Sequence, residues 1–503
     1  MQTLYKKVFT QKKIKLFDVI VSDNDTDMLP YLKKLKINGS LIIKNNNDKS
    51  LTPYFKYTRT HLDFIHFCNF QGKKKTNKTQ DNQIIFNIDF AKKYNLEVVP
   101  LKFEINVLKY LYTFDCPEIH YFTHYHNKCT FNTNILHKQK YNYIWEELNK
   151  YKNKLNIYKF AIDTRDSQEW RKTTLSINLG LFIKKYLDQN LDVKRASRAF
   201  LKMYEILAVY KLIPKKLTTL NSLHVCEAPG KFIAATNYYI KGHTKIKNFH
   251  WFANSLNPYN KQNKKKYGFV FGDQYGYLKR YPKKWLWGSD NTGDITLPKN
   301  IINISQKAKN IQLFTSDCGL NVMDDPNQQE KTLSILNLAH SILALLTLSI
   351  GGHAVLKVFL PLTESITVSI IYLLYCHFKK ISIIKQLSGS HGSSEVYIVL
   401  KHLNYKINND MKHYLLDFLK DFNSDNALFP KDDIPDSFIK QLNSFVEIFT
   451  KKQKKYLQRS FFYHNNPDIL KKHMPLIRKY QYKRAQEWVD IVKFKKIDDN
   501  ELL

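Results

Sequence analysis

The stretch RASRAFLKMYEILAVYKLI sets Phe200, Met203, Ile206, Leu207 and Tyr210 at helical spacing, which predicts an amphipathic helix with one face in a core. After it the period changes. SLHVCEAPG is a short apolar run stopped by Pro229 and Gly230, and FIAATNYYI behind it is helical, so a strand, a tight turn and a helix are expected. Beyond Trp251 and Phe252 the chain alternates: IQLFTSDCG reads as a strand, TLSILNLAHSILALLTLSI as a helix, GGHAVLKVFL as a strand and SITVSIIYLLYCHF as a helix. KKISIIKQL and SSEVYIVLKHL then read as two closing strands. Such alternation predicts an α/β fold with a mostly parallel, doubly wound sheet. From about Asn404 the pattern is mostly helical and includes KKQKKYLQR. The first 150 residues mix short apolar runs (Leu41 to Ile43, Ile84 to Ile88) with polar tracts such as NNNDKS and QGKKKTNKTQDNQ that read as surface loops. The expected organisation is an N-terminal extension or domain over 1–155, an α/β domain over 156–405 and a mostly helical, basic region over 406–503.

Composition sharpens this picture. The chain has 503 residues and a net charge of +35, far more than solubility needs, which points to a polyanionic partner and first of all to nucleic acid. Hydrophobic residues at 43%, with 32 Tyr and 32 Phe, exclude a disordered polycation. The basic excess is largest over 151–400, where a nucleic-acid groove is expected. Scarce glycine beside abundant Lys, Asn, Ile, Tyr and Phe reads as an A+T-rich, viral or parasite genome. Cys68, Cys116, Cys129, Cys226, Cys318 and Cys376 form no CxxC pair, which argues against a disulfide framework and for a reducing compartment. The start MQTLYKKVFTQKKIKLF lacks the apolar run of a signal peptide. The run from Leu333 to Ile350 is interrupted by Asn337 and His340 and reads as a buried helix, so no membrane partner is expected.

In open α/β sheets, ligands bind beyond the carboxyl ends of the strands. CEAPG closes the first such strand, Asp317 ends IQLFTSD, and Glu395 opens EVYIVL. Lys357 lies inside the apolar strand HAVLKVF, where an ammonium needs a carboxylate neighbour or a route to solvent. CEAPG is not GxGxxG, because only Gly230 is present and Pro229 stiffens the turn, and this disfavours a nicotinamide dehydrogenase. Alone, it is equally an ordinary tight turn.

These residues carry a resemblance. SRAFLKMYEIL with LIP after it, NSLHVCEAPGKFIAATNYYIK, NSLNPYN, GSDNTGDIT, and GGHAVLKVF followed by YLLYC and SSEVYIV stand in one order between about Arg165 and Leu403. Together they resemble the adrift-type, FtsJ-like methyltransferases that modify ribose 2'-hydroxyls in mRNA caps, and are most similar to the cap-specific 2'-O-methyltransferase 2 family. The resemblance implies a Rossmann-like class I methyltransferase fold, S-adenosyl-L-methionine as cofactor, capped mRNA as substrate and no metal. It implies a Lys-Asp-Lys-Glu tetrad at Lys202, Asp317, Lys357 and Glu395. A ribose hydroxyl is a poor nucleophile, so methyl transfer needs a base at the oxygen and in-line geometry. Lys357 is the expected proton acceptor, Lys202 the second positive charge, and Asp317 and Glu395 the groups that orient the amines. On the cofactor side the resemblance assigns Glu227, Ala228, Pro229 and Gly230 to the methionine end, Trp251 and Asn257 to the ribose and adenine edge, Asp294 and Ile295 to the adenine turn, and Asp317 to the methyl donor. Lys231 stands where relatives have a small residue. The expected product is methylated on the second transcribed nucleotide. Alternatives are the first nucleotide, rRNA, or an inactive RNA-binding subunit of a capping complex; a capping or transcription partner is also expected. The resemblance implies the nucleus or the cytoplasm as compartment, and the host cytoplasm if the chain is viral.

Three features lie apart. CPEIHYFTHYHNKC brings Cys116, His120, His124, His126 and Cys129 close in sequence, so it reads either as a core-packed segment or as ligands for zinc at a spacing unlike standard fingers. Lys73 to Lys75 and Lys264 to Lys266 read as solvated loops or phosphate contacts, the second being the better placed. Trp285 and Trp287, with Tyr281, Lys283 and Lys284, read as core or as a stacking platform for a base.

Overall fold

The computed structural model describes 17–22, 35–44, 57–61, 64–68, 118–123 and 131–503 except 132, 137, 138, 164, 194, 195, 215, 269 and 320–325. The chain forms two compact units, 1–114 with 150–174 and 115–149 with 175–503. The first holds a four-stranded sheet of β1 (Phe17–Ser22), β2 (Leu35–Lys44), β3 (Tyr57–His61) and β4 (Phe64–Cys68) in the order β1-β2-β4-β3. It also holds most of helices α1 (Glu146–Asp163) and α2 (Ser167–Ser176).

The second unit is built on seven strands: β5 (Glu118–Tyr121), β6 (Thr219–Val225), β7 (Asn248–Asn254), β8 (Ile311–Ser316), β9 (Leu348–Phe359), β10 (Phe378–Lys385) and β11 (Glu395–Leu403). Their order is β5-β10-β11-β9-β8-β6-β7. β6 pairs parallel with β7 and β8, and β8 with β9. β11 runs antiparallel between β9 and β10, and β5 joins β10 antiparallel. The sheet is therefore mixed, with its parallel part in the half that ends in CEAPG and Asp317. The strand β5 extends this sheet from a segment that the sequence pattern groups with the N-terminal region.

The apolar runs became strands because both faces of the sheet are covered. On one face α3 (Leu179–Leu191), α4 (Arg198–Tyr210) and α5 (Lys231–His243) bury Phe200, Tyr204, Phe232 and Tyr238 with Leu313, Val355, Tyr397 and Val399 of the sheet. Each such apolar side chain contributes about 1.5–3 kcal/mol by leaving water. Side chains alternate along β8, so Ser316 points to the other face, where its hydroxyl meets His340 of α8 (Gln329–Thr347) at 3.0 Å. There α8 packs with α7 (Pro298–Lys307), α9 (Ser365–His377) and α10 (Asn409–Lys420). The run from Leu333 is thus a buried helix, as its polar interruptions predict, and no described helix is long and apolar enough to cross a membrane. The tail ends in two long helices, α11 (Asp436–Asn465) and α12 (Pro467–Val492); Trp488 of α12 is fully buried in the α4–α5 core.

Candidate active site

Helix α4 is capped by Ser197, whose hydroxyl accepts from the Phe200 amide at 3.2 Å. The apolar stripe read from the sequence is buried, and Lys202 projects from the same helix toward the strand ends, only 14% exposed. Its ammonium donates to Glu395 Oε1, at the first residue of β11. Lys357 of β9 lies opposite Tyr397 of β11, two residues beyond Glu395. Its ammonium, 11% exposed, is 3.1 Å from Asp317 Oδ1 and donates to the Asp317 carbonyl at 2.7 Å. The four residues that the resemblance brings together thus form two ion pairs. Burial by itself would raise the Glu395 carboxyl, but Lys202, Lys357 and Lys385 together hold it at about 2.

Two partners of this cluster escaped the sequence reading. The Tyr397 hydroxyl donates to Asp317 Oδ1 at 2.7 Å from a fully buried ring, sharing that oxygen with the Lys357 ammonium and so helping to fix the carboxylate. Tyr397 gave no signal, being one aromatic in a buried strand. Glu205, one turn beyond Lys202 on α4, accepts from the Leu387 and Ser388 amides (2.7 and 3.0 Å), the Ser388 hydroxyl (2.6 Å) and the Trp488 indole (2.9 Å). It ties the helix that carries Lys202 to the loop that leads to Glu395.

The cofactor-side residues are assembled differently. The Asp317 amide donates to the Val225 carbonyl at 3.2 Å, and the Glu227 amide to the Asn254 carbonyl at 3.0 Å, so the ends of β8, β6 and β7 are stitched by main chain. The Ala228 amide donates to the Ser255 hydroxyl at 2.7 Å. Glu227 is buried, and its Oε1 accepts from the Phe232 and Ile233 amides at 2.8 and 3.0 Å, capping α5. Burial pushes its carboxyl up to about 8, and the neighbouring charge of Asp317 adds to that. Gly230, after Pro229, has φ +109°, and a Cβ there would overlap the Tyr277 ring. The close approach that requires glycine is therefore to Tyr277. Lys231 Nζ sits 3.2 Å over the Tyr275 ring centroid.

Asn257 is buried, bonded through its amide group to Asn291, and its backbone amide reaches the Thr292 carbonyl at 2.8 Å. Gly293, at φ +75°, leaves no room for a Cβ against the Ser255 carbonyl. These contacts bring the loops of NSLNPYN and GSDNTGDIT together. Asp294 is pushed up by burial but held below its usual range by hydrogen bonds from Thr296, Tyr267 and Lys266. Ile295 beside it is buried. Trp251 is buried among Tyr277, Tyr281 and Trp285.

Trp285 belongs to that core, its indole N–H donating to the Tyr277 carbonyl at 3.2 Å, which removes it as a stacking platform. Trp287 stacks on it with ring centroids 5.6 Å apart, and Lys284 Nζ lies 5.8 Å from the Trp251 ring; Lys283 stands exposed beside it. On α6 (Lys261–Tyr267), Lys264 and Lys265 are exposed, whereas Lys266 pairs with Asp294 at 3.1 Å. The spacing of the cysteines gave no sign of a bridge, yet Cys226 and Cys318, 92 residues apart, are disulfide-bonded. They meet because each follows the end of one of two adjacent parallel strands, β6 and β8. Of the zinc candidates, His120 lies in β5, its ring 5.5 Å from that of Phe445, while Cys116, His124, His126 and Cys129 fall outside the described residues, as do Lys73 to Lys75. Among the described residues no group of three or more His, Cys, Asp or Glu could hold a metal ion.

Residues 195–403, which span this entire site, match the FtsJ-like methyltransferase family. The chain is 34% identical over 319 residues to the cap-specific mRNA (nucleoside-2'-O-)-methyltransferase 2 of Danio rerio, covering 61% of this chain and 42% of that protein. It is 28% identical over 370 residues to the protein of the same name from Drosophila melanogaster, covering 71% and 50%. A probable methyltransferase of African swine fever virus (isolate Pig/Kenya/KEN-50/1950) is 31% identical over 239 residues, covering 45% of this chain and 54% of the viral one. The chain thus spans about half the length of the curated relatives it matches. Within this longer chain, residues 195–403 form an FtsJ-like methyltransferase domain.

Proposed function

We propose that the domain transfers a methyl group from S-adenosyl-L-methionine to a ribose 2'-hydroxyl of capped mRNA, at the second transcribed nucleotide. The observation that carries this reading is the pairing of two partly buried lysines with two carboxylates at the carboxyl-terminal edge of the sheet, Lys357 with Asp317 and Lys202 with Glu395. The residues present fit a cationic methyl donor. Asp317 and Glu227 are near enough for one charge to oppose the other's ionisation, and a positive group between them relieves that repulsion. Bound there, the donor supplies an electrophilic methyl group on a sulfonium.

Lys357 is the group that takes the hydroxyl proton at Nζ, which it does as the neutral amine and so becomes the ammonium, and its contacts to the Asp317 carboxylate and carbonyl aim that nitrogen at one point in space. Lys202 offers a second ammonium to the developing oxyanion, oriented by Glu395. Tyr397 keeps Asp317 from turning away. The loops at Glu227 to Gly230, at Asn257 and at Asp294 and Ile295 would hold the donor's methionine, ribose and adenine parts. The relatives' names and the +35 net charge support RNA as acceptor, with exposed Lys264 and Lys265 available to phosphates.

The test is transfer of labelled methyl to short RNAs that are uncapped, capped, or capped and already methylated on the first ribose, with the product mapped by nuclease digestion. Label on the second ribose of capped RNA is expected. Label on the first ribose keeps the chemistry and moves the position, and no transfer to any capped RNA despite intact cofactor binding overturns the reading.

A further inference from the structure

The β10–β11 ladder runs from Phe378 opposite Leu403 to Ile384 opposite Tyr397 and then stops, as the two chains part into the loop 386–394. At that point stands Lys385, a lysine ending the mostly apolar run ISIIK, buried to 4% exposure. A buried ammonium is costly unless its protons are used. Here the three protons meet three acceptors across the mouth of the loop: the Ser393 carbonyl at 2.7 Å, the Glu395 carbonyl at 2.6 Å and the Ser393 hydroxyl at 3.2 Å. The side chain thus takes over the cross-strand bonding where the ladder has ended, and it does so at the residue whose carboxylate pairs with Lys202.

We infer that Lys385 is a positioning residue for the acceptor side of the site, holding the backbone of Glu395 so that its carboxylate keeps Lys202 aimed at the reacting oxygen. This rests on the methyl-transfer reading for its catalytic consequence, but the geometry stands by itself. The loop is held elsewhere by Glu205 at Leu387 and Ser388 and by Gln453 of α11 at Gly392 and Ser394. Neither touches the backbone at Glu395. The Glu395 backbone is otherwise held by the β9 ladder, opposite Phe359, and among the described residues Lys385 is the side chain whose hydrogen bonds join Ser393 of the loop to the Glu395 carbonyl. Burial brings its amine down to about 7, with Glu395 opposing that shift and Lys202 adding to it, so the group shares the electrostatic field of the tetrad. An apolar residue here would leave the Ser393 and Glu395 carbonyls without this donor.

The test compares full-length protein with Lys385→Met, close to lysine in length, and with Lys385→Gln, which keeps a shorter, neutral donor should the first variant fold poorly. Two readouts are taken on each: amide hydrogen exchange across 386–396, and kcat and KM for methyl transfer beside the Kd for S-adenosylmethionine. Exchange in 386–396 about ten-fold faster is expected, with exchange in the loops at 227–230 and 291–295 unchanged. A fall in kcat of about ten- to a hundred-fold is expected, with KM and cofactor Kd within about two-fold, since sub-ångström misplacement of catalytic groups is felt in the chemical step. Unchanged exchange in 386–396 overturns the inference, and so does unchanged kcat in an active enzyme. If the wild-type protein methylates no RNA, the proposed function has failed, and the exchange result alone decides whether Lys385 positions Glu395.

Discussion

The acceptor side and the cofactor side of the site lie at the same edge of one sheet and are made by different means. On the acceptor side, four charged side chains, from α4, β9, β11 and the residue after β8, are held by each other and by Tyr397 and Lys385. On the cofactor side, the loops after β6, β7 and before α7 are held by main-chain bonds and by short polar side chains turned back onto the backbone, as with Ser255, Asn257 and Thr292. The first arrangement places movable charge and depends on individual side-chain chemistry. The second shapes a surface and depends on backbone fit. Substitutions should separate the two accordingly.

The largest effect is expected from Lys357→Ala, which removes the proton acceptor while leaving the cofactor loops intact. Turnover should fall by about 10²- to 10⁴-fold, with cofactor Kd within two-fold by calorimetry. Wild-type-like turnover would assign the base elsewhere. Gly293→Ala should do the opposite, because its Cβ meets the Ser255 carbonyl at a positive φ. Cofactor KM should rise about ten-fold or more, with kcat at saturation changed far less.

A smaller effect concerns pH, with opposite signs on the two sides. Glu395, held at about 2 against 4.5, binds fewer protons folded than unfolded, so its contribution is present above about 4.5 and is lost as pH falls toward 2. Glu227, raised to about 8, binds more protons folded, so stability falls as pH rises from 4.5 to 8. Melting temperatures across pH should show a flatter acid limb in Glu395→Gln and a flatter fall toward pH 8 in Glu227→Gln; equal slopes in both variants would erase the contrast. The smallest effect is expected from Lys264→Ala with Lys265→Ala. Cofactor binding should be unaffected, and the slope of log RNA affinity against log salt should drop by about one for each phosphate that is no longer neutralised.

Much of this was legible in the chain. The alternation of apolar runs foretold α4, β6, α5, β8, α8, β9, α9, β10 and β11, because each run is long enough to be buried and the turns carry Pro, Gly, Ser or Asn; the Lys264 to Lys266 run, read as a loop or phosphate contact, lies instead in the polar helix α6, and α7 was not read. Lys357 stood out because an ammonium inside HAVLKVF demands a partner. The same signal was present at Lys385 in KKISIIKQL, but a lysine at a strand end also reads as one that reaches solvent. Trp285 and Trp287 looked alike in sequence, and only packing separated the buried indole from the outer one. Glu205 resembled any charge on an amphipathic helix until the loop 386–394 closed over it.

Periodicity and residue type, which act over a few neighbours, determined the elements, the turn at CEAPG, and the positions where charge is too costly to stand alone. The tertiary structure decided what those charges meet. Lys202 and Glu395 are 193 residues apart, and Cys226 and Cys318 are 92 apart. Their contacts follow from strand order and from which way a helix faces, and a one-dimensional pattern carries neither, because one residue's shift in a strand turns its side chain to the opposite face.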